Sequence, residues 1–156
     1  MKCNKDFIVA YNELFKYLRE RGGHQAVTDF WALLGDAILG RFRYLAKTKG
    51  IAGLLEYWSD TLSSEGAICS MHVDFEKDSS SMYIRMYECP SLKKMREEGI
   101  EPYEHYCDHC KILYGKALEE SGFSFGINKK RQGCEIWIKK DLSCSEQADT
   151  PTPAST

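Results

Sequence analysis

Apolar residues recur every three or four positions through the first part of the chain, then every second position in two separate stretches further on. The first pattern predicts helices and the second half-buried strands. Phe7, Ile8, Tyr11, Leu14, Phe15 and Leu18 share one helical arc, and Gly22-Gly23 supplies a stop. A second helix is predicted over residues 25–47, with Val27, Phe30, Trp31, Leu34, Ile38, Phe42 and Leu45 as its stripe. Gly35 and Gly40 interrupt that stripe and suit close packing. Lys49-Gly50 breaks the pattern. A third helix then carries Ile51, Leu54, Leu55, Trp58 and Leu62 and ends near Ser63-Ser64-Glu65-Gly66.

From there the period becomes two. Ala67, Cys69, Met71, Val73 and Phe75 alternate with Ser70, His72 and Asp74, and after a turn at residues 77–81, Met82, Ile84 and Met86 alternate with Tyr83, Arg85 and Tyr87. Together they predict an antiparallel hairpin, closed by Cys89-Pro90 because proline does not continue a central strand. A short helix is expected over residues 91–98 with Gly99 as its stop, then a longer one over 103–121 ended by Gly122. Phe123, Phe125 and Ile127 start a second hairpin, which turns at residues 128–133 and returns through Cys134, Ile136 and Ile138.

Helices and antiparallel strands segregated in this order imply an α+β fold: N-terminal helices packed on a four-stranded antiparallel sheet of two hairpins, with a Cys/His-bearing helix between them. Residues 1–140 are expected to form one domain. Residues 141–156, rich in Ser, Thr, Pro and Ala, are expected to be a disordered tail.

Composition narrows the function classes. With 156 residues the chain has room for one real core. The net charge of −2, with acids and bases interspersed, lacks the basic stripe of a nucleic-acid protein. The most apolar run, residues 26–45, is interrupted by Asp29, Asp36, Arg41 and Arg43, so no membrane partner is expected. Met1-Lys2-Cys3-Asn4-Lys5-Asp6 leads into an amphipathic pattern rather than a signal sequence, and a cytoplasmic location is expected. In that reducing compartment the 7 cysteines are core thiols, metal ligands or reactive groups rather than a disulfide framework.

Candidate chemistry concentrates in Glu104-His105-Tyr106-Cys107-Asp108-His109-Cys110, which holds two cysteines and two of the 4 histidines. On a helix, Cys107 and Cys110 fall with the core stripe, His105 and Asp108 fall opposite, and His109 lies at the boundary. Two chemistries fit. Cys107-x-x-Cys110 with Cys89 and Cys134 supplies four sulfurs for zinc or an iron–sulfur cluster. Alternatively Cys107 or Cys110, near a helix start, is a nucleophile with His109 as its base. Buried inert thiols and a solvated histidine face are the plain alternatives. Arg85, on the second face of its strand, suits a carboxylate or a surface ion pair. His72 is expected to be exposed, His24 to lie in a loop or helix start, and Cys69 to be core.

Glu88-Cys89-Pro90, Tyr106-Cys107-Asp108-His109-Cys110 and Gly133-Cys134-Glu135-Ile136 resemble the L-2-amino-thiazoline-4-carboxylic acid hydrolase family, over about residues 68–140. The element order is also similar to domains of the 4-vinyl reductase type. The first resemblance implies a hydrolase that opens a cyclic amidine carrying a carboxylate. That chemistry suggests Cys107 or Cys110 as nucleophile, His109 as proton shuttle and Arg85 as carboxylate clamp. Two further readings stand beside it: a cysteine-ligated metal- or small-ligand-binding module without catalysis, and a homodimer formed through Phe30, Trp31, Leu34 and Ile38 of the second helix.

Overall fold

The computed structural model describes residues 5–75 and 79–141. Its elements are α1 (Lys5–Ile38), α2 (Gly40–Glu65), β1 (Ile68–Phe75), β2 (Ser79–Glu88), α3 (Pro90–Glu97), a 3-10 turn (Tyr106–Asp108), α4 (His109–Glu119), β3 (Ser124–Lys129) and β4 (Cys134–Asp141). The four strands form one antiparallel sheet in the order β1-β2-β4-β3, so the two hairpins meet along β2 and β4. This is the expected α+β architecture.

The glycine signals act as hinges. α1 bends at Gly22 and at Gly23, whose φ of 72° favours a residue without Cβ, and α2 bends at Gly50, with φ of 59°. The expected helix over 25–47 is interrupted at Leu39. There the chain leaves helical geometry (φ −89°, ψ 24°), and the register of the stripe resets. Leu39 becomes fully buried while Ile38, expected inside, is 48% exposed. Arg43 ties this corner together, bonding the Gly35 carbonyl at 3.0 Å, Asp36 at 2.8 Å and Glu120 at 3.2 Å. Gly35 is a point of close approach, since a Cβ there would stand 2.8 Å from the Leu113 carbonyl oxygen of α4. Gly40 faces open space and has no packing role.

Alternation holds in the sheet. Met82, Ile84, Met86, Ile136 and Ile138 are buried against Phe42, Leu54 and Trp58 of α2 and Leu113 and Leu118 of α4. Each such side chain contributes about 1.5–3 kcal/mol through burial. A second apolar cluster gathers Ile8, Phe15, Val27 and Trp31 of α1 around Met95 of α3 and Tyr103 and Tyr106. Phe75 departs from the expected pattern; at the end of edge strand β1 it is exposed. β2 starts at Ser79, so the turn expected over 77–81 is shorter than its polar composition suggested. Asp141 closes β4, whereas the rest of the expected tail, with Cys3 and Cys144, lies outside the described residues. Among the described residues no helix is long and apolar enough to cross a membrane.

The helix expected from residue 103 begins only at His109, after the 3-10 turn. Asn12 of α1 anchors the residues ahead of that turn. It is fully buried, its Oδ1 accepts the Tyr103 N–H at 2.7 Å, and its Nδ2 donates to the Glu101 carbonyl at 3.0 Å.

Candidate functional site

Four segments deliver the thiols singled out above. Cys89 ends β2 and caps α3, held by its N–H to the Gln132 carbonyl at 2.9 Å. Cys107 sits in the 3-10 turn, Cys110 in the first turn of α4, and Cys134 opens β4 opposite Met86. The thiols lie within electrostatic reach of one another: Cys110 pushes up Cys89, Cys89 and Cys110 push up Cys107, and all three push up Cys134. Burial is the larger cause in each case. It drives Cys110 and Cys134 up to about 12, because a thiolate loses its hydration there. The amides of Leu92 and Ser91 at the start of α3 pull Cys89 the other way without overcoming burial. All four rest as thiols at neutral pH.

His109 is the imidazole of this cluster. Its ring lies among Phe15, Trp31 and Tyr106, and burial lowers its pKa, so it rests neutral. Its Nδ1 lies 2.6 Å from the Tyr106 carbonyl oxygen. A carbonyl can only accept, so this contact assigns the proton to Nδ1 and leaves Nε2 as an acceptor. Nε2 stands 3.5 Å from the Cys110 sulfur. That sulfur is also 3.9 Å from Nδ1, so it lies beside the ring near both nitrogens rather than on the Nε2 lone pair, and the result is a half-buried, uncharged thiol–imidazole contact.

The other expected residues are elsewhere. Arg85 alternates with the buried Ile84 and Met86 and is exposed on the far face of the sheet, away from Cys107, Cys110 and His109. It borders a cleft of about 300 Å³ at the end of the β2–β4 pair, together with Tyr87, Lys130, Arg131 and Glu135; of the four thiols only Cys134 reaches that lining. His105 pairs with Asp108 at 3.2 Å and stacks 4.4 Å from His24, forming a separate, outward cluster. His24 follows the Gly23 bend and meets the Tyr103 hydroxyl at 2.9 Å. His72 is exposed and bonds Asp74, while Cys69 packs half-buried against the core as expected.

Two residues near the cluster were not anticipated. Glu65, the last residue of α2, raises Cys110 more than any other charged group and also acts on Cys89, His109 and Tyr114. It lines a smaller recess with Gly66 and Pro90. Its place on the stripe of Trp58 and Leu62 was a readable signal. Asn12 likewise shares the arc of Ile8 and Phe15. The donor chemistry of four thiols and an imidazole suits a soft ion, but among the described residues no three His, Cys, Asp or Glu are arranged to hold a metal.

Fold and site together define an α+β domain with a thiol–imidazole centre beneath its helices. No family model, no curated protein and no solved structure matches the chain.

Proposed function

We propose that the chain is a small-molecule hydrolase of the L-2-amino-thiazoline-4-carboxylic acid hydrolase type, opening a cyclic amidine at the thiol–imidazole centre. The observation that carries this reading is the 3.5 Å approach of His109 Nε2 to the Cys110 sulfur. It selects Cys110 over Cys107 as nucleophile. A turn of the Cys110 side chain brings the sulfur onto the Nε2 lone pair, and as it attacks the amidine carbon its proton passes to Nε2, so no resting thiolate is required. His109 then returns the proton to the departing ring atom, and water, deprotonated in turn by Nε2, releases the product and restores the thiol. Glu65 would offset the positive charge of a protonated amidine. Arg85 stands on the other face of the sheet and has no place in these steps.

The reaction belongs to a reducing compartment such as the cytoplasm, where the thiols stay free. A homodimer through the second half of α1 is part of the same reading. Trp31 is committed to the core, so Ile38 and Leu33, 48% and 69% exposed, would carry that contact. Light scattering across a dilution series tests it.

The test of activity is incubation with 2-aminothiazoline-4-carboxylate, followed by mass spectrometry for the gain of one water. Wild-type protein should convert it, Cys69→Ser should match the wild type, and Cys110→Ser should not convert it. No conversion by the wild type overturns the reading. The alternative, a binding module without catalysis, draws on the electrostatic coupling of the four thiols, which are not arranged as a metal site. Stoichiometric zinc or iron in protein purified without oxygen, lost on Cys89→Ser, Cys107→Ser or Cys134→Ser, would establish that alternative instead.

A further inference from the structure

The outer face of the sheet carries a row of rings. His72 pairs with Tyr83, Tyr83 with Trp137, and Trp137 with Gly126, so one line of positions crosses all four strands. The indole of Trp137 lies over Gly126, where a Cβ would come within 2.3 Å of the ring. Glycine at that position therefore makes room for the ring. Tyr83 and Trp137 remain 38% and 43% exposed.

Beside this row lies the cleft of about 300 Å³, the lower end of the range that holds small molecules. Its charge is unbalanced. Arg85, Lys130 and Arg131 face a single carboxylate, Glu135, which is engaged by Lys130 at 3.1 Å. Arg19, Arg41, Arg43 and Arg96 each pair with a carboxylate. Among the described residues Arg21, Arg85 and Arg131 form no ion pair; Arg85 lies 5.4 Å from the centroid of the Tyr87 ring and acts on its cross-strand neighbour Glu135 from a distance. Guanidinium groups outside any ion pair at a concave site suit a phosphate or carboxylate. Arg85 and Tyr83 are two residues apart on one face, a spacing of about 7 Å. That is comparable to the span from the base to the phosphate of a mononucleotide.

We propose that this cleft and ring row form a binding site for a nucleoside 5′-phosphate, with the phosphate on Arg85 and Arg131 and the base stacked on Tyr83 and Trp137. The site stands apart from Cys110 and His109, and of the four thiols only Cys134 borders it. A flat base finds a π platform regardless of its identity, so affinity depends on ring and charge together. Binding weakens with salt, because the cleft is open to solvent.

Titration with AMP, adenosine and inorganic phosphate, read by calorimetry and by tryptophan fluorescence, tests this. Trp31 and Trp58 are buried, so quenching reports Trp137. AMP should bind saturably and at least about tenfold more tightly than adenosine or phosphate. The Arg85→Ala/Arg131→Ala double variant should lose about tenfold or more, with Arg85→Lys/Arg131→Lys losing less. Trp137→Phe should lose a few-fold, and Cys110→Ser should bind as the wild type does. Circular dichroism on each variant separates lost binding from lost fold. No saturable binding of AMP overturns the proposal. So do phosphate binding as tightly as AMP, affinity unchanged in the double arginine variant, and binding of a single-stranded RNA hexamer without binding of AMP.

Discussion

Cys134 and Glu135 are consecutive residues of β4, yet they belong to different environments. Cys134 turns inward to three other thiols, where burial drives its pKa up to about 12. Glu135 turns outward to Lys130, which holds its carboxyl below the usual range. The inner side suppresses charge; the outer side keeps it. Strand alternation alone creates this division. It means that residues adjacent in sequence can serve unrelated chemistry, and that a cation beside a thiol in the sequence need not act with it.

The sharpest way to break that division is to compare variants from each side in the ring-opening assay. Cys110→Ser and His109→Gln should each lower kcat/KM by about a hundred- to ten-thousand-fold, the usual range for loss of a nucleophile or its proton acceptor. Arg85→Ala should leave it within about twofold of the wild type, because nothing on the outer face contacts the reacting atoms. An equal loss on both sides would show that the two faces work as one site.

Alkylation and stability against pH sharpen it next. With Cys110 and Cys134 pushed up to about 12, their thiolate fraction near neutrality is about a thousandfold below that of a free cysteine. Iodoacetamide should therefore label them far more slowly in the folded than in the unfolded protein, and the rate should climb with pH. Linkage gives both limbs of a stability profile. Above about pH 8.5 the unfolded thiols release protons that the folded ones retain, so stability falls as pH rises towards 12. His109 has a lowered pKa, so below about pH 6.5 the unfolded chain binds a proton that the folded chain refuses, and stability falls as pH drops. Thermal melts should peak between those limbs. His109→Gln should flatten the acid limb, and an unchanged limb would mean that another group sets it.

The fold was readable because its signals are local. Glycine hinges, the change of period and the apolar alternation each act over a few residues, and the helices and hairpins follow from them. The signals that failed involve distant partners. Nothing near residue 103 announces that Asn12, far away in sequence, will take its N–H. Leu39 replaces Ile38 in the core because Arg43 anchors a corner to Asp36 and Glu120. The candidate site divides in the same way. The boundary position of His109 on its helix was readable from periodicity. The side of the sheet on which Arg85 stands was also readable, but its separation from the thiols depended on which face the helices cover.

Substitutions that support both sides should act on stability rather than on one chemistry. Asn12→Leu strands the Tyr103 N–H and the Glu101 carbonyl, at about 1–3 kcal/mol for each buried group left unpaired. Gly133→Ala would press a Cβ into the Met86 carbonyl oxygen, forcing β2 and β4 apart beside Cys134 and the cleft. Overpacking of this kind costs about 1–3 kcal/mol. Urea denaturation should show both losses. A Gly133→Ala protein as stable as the wild type would mean that the strands part freely there.

The smallest expected effect is also the most selective. Tyr83→Ala removes one ring from the outer row, and an exposed cross-strand pair is worth about 0.2–1 kcal/mol. The loss should be close to the error of a denaturation curve, because water covers the face on both sides of folding. Ring opening should be unchanged, since the phenol never meets the inner cluster. Stability and turnover together would then leave Tyr83 without a visible role, and affinity for a stacked base becomes the measurement that gives it one. A Tyr83→Ala protein that unfolds readily would instead assign the ring row to holding β2 against β4, and the contrast between a working inner side and a binding outer side would lose its second half.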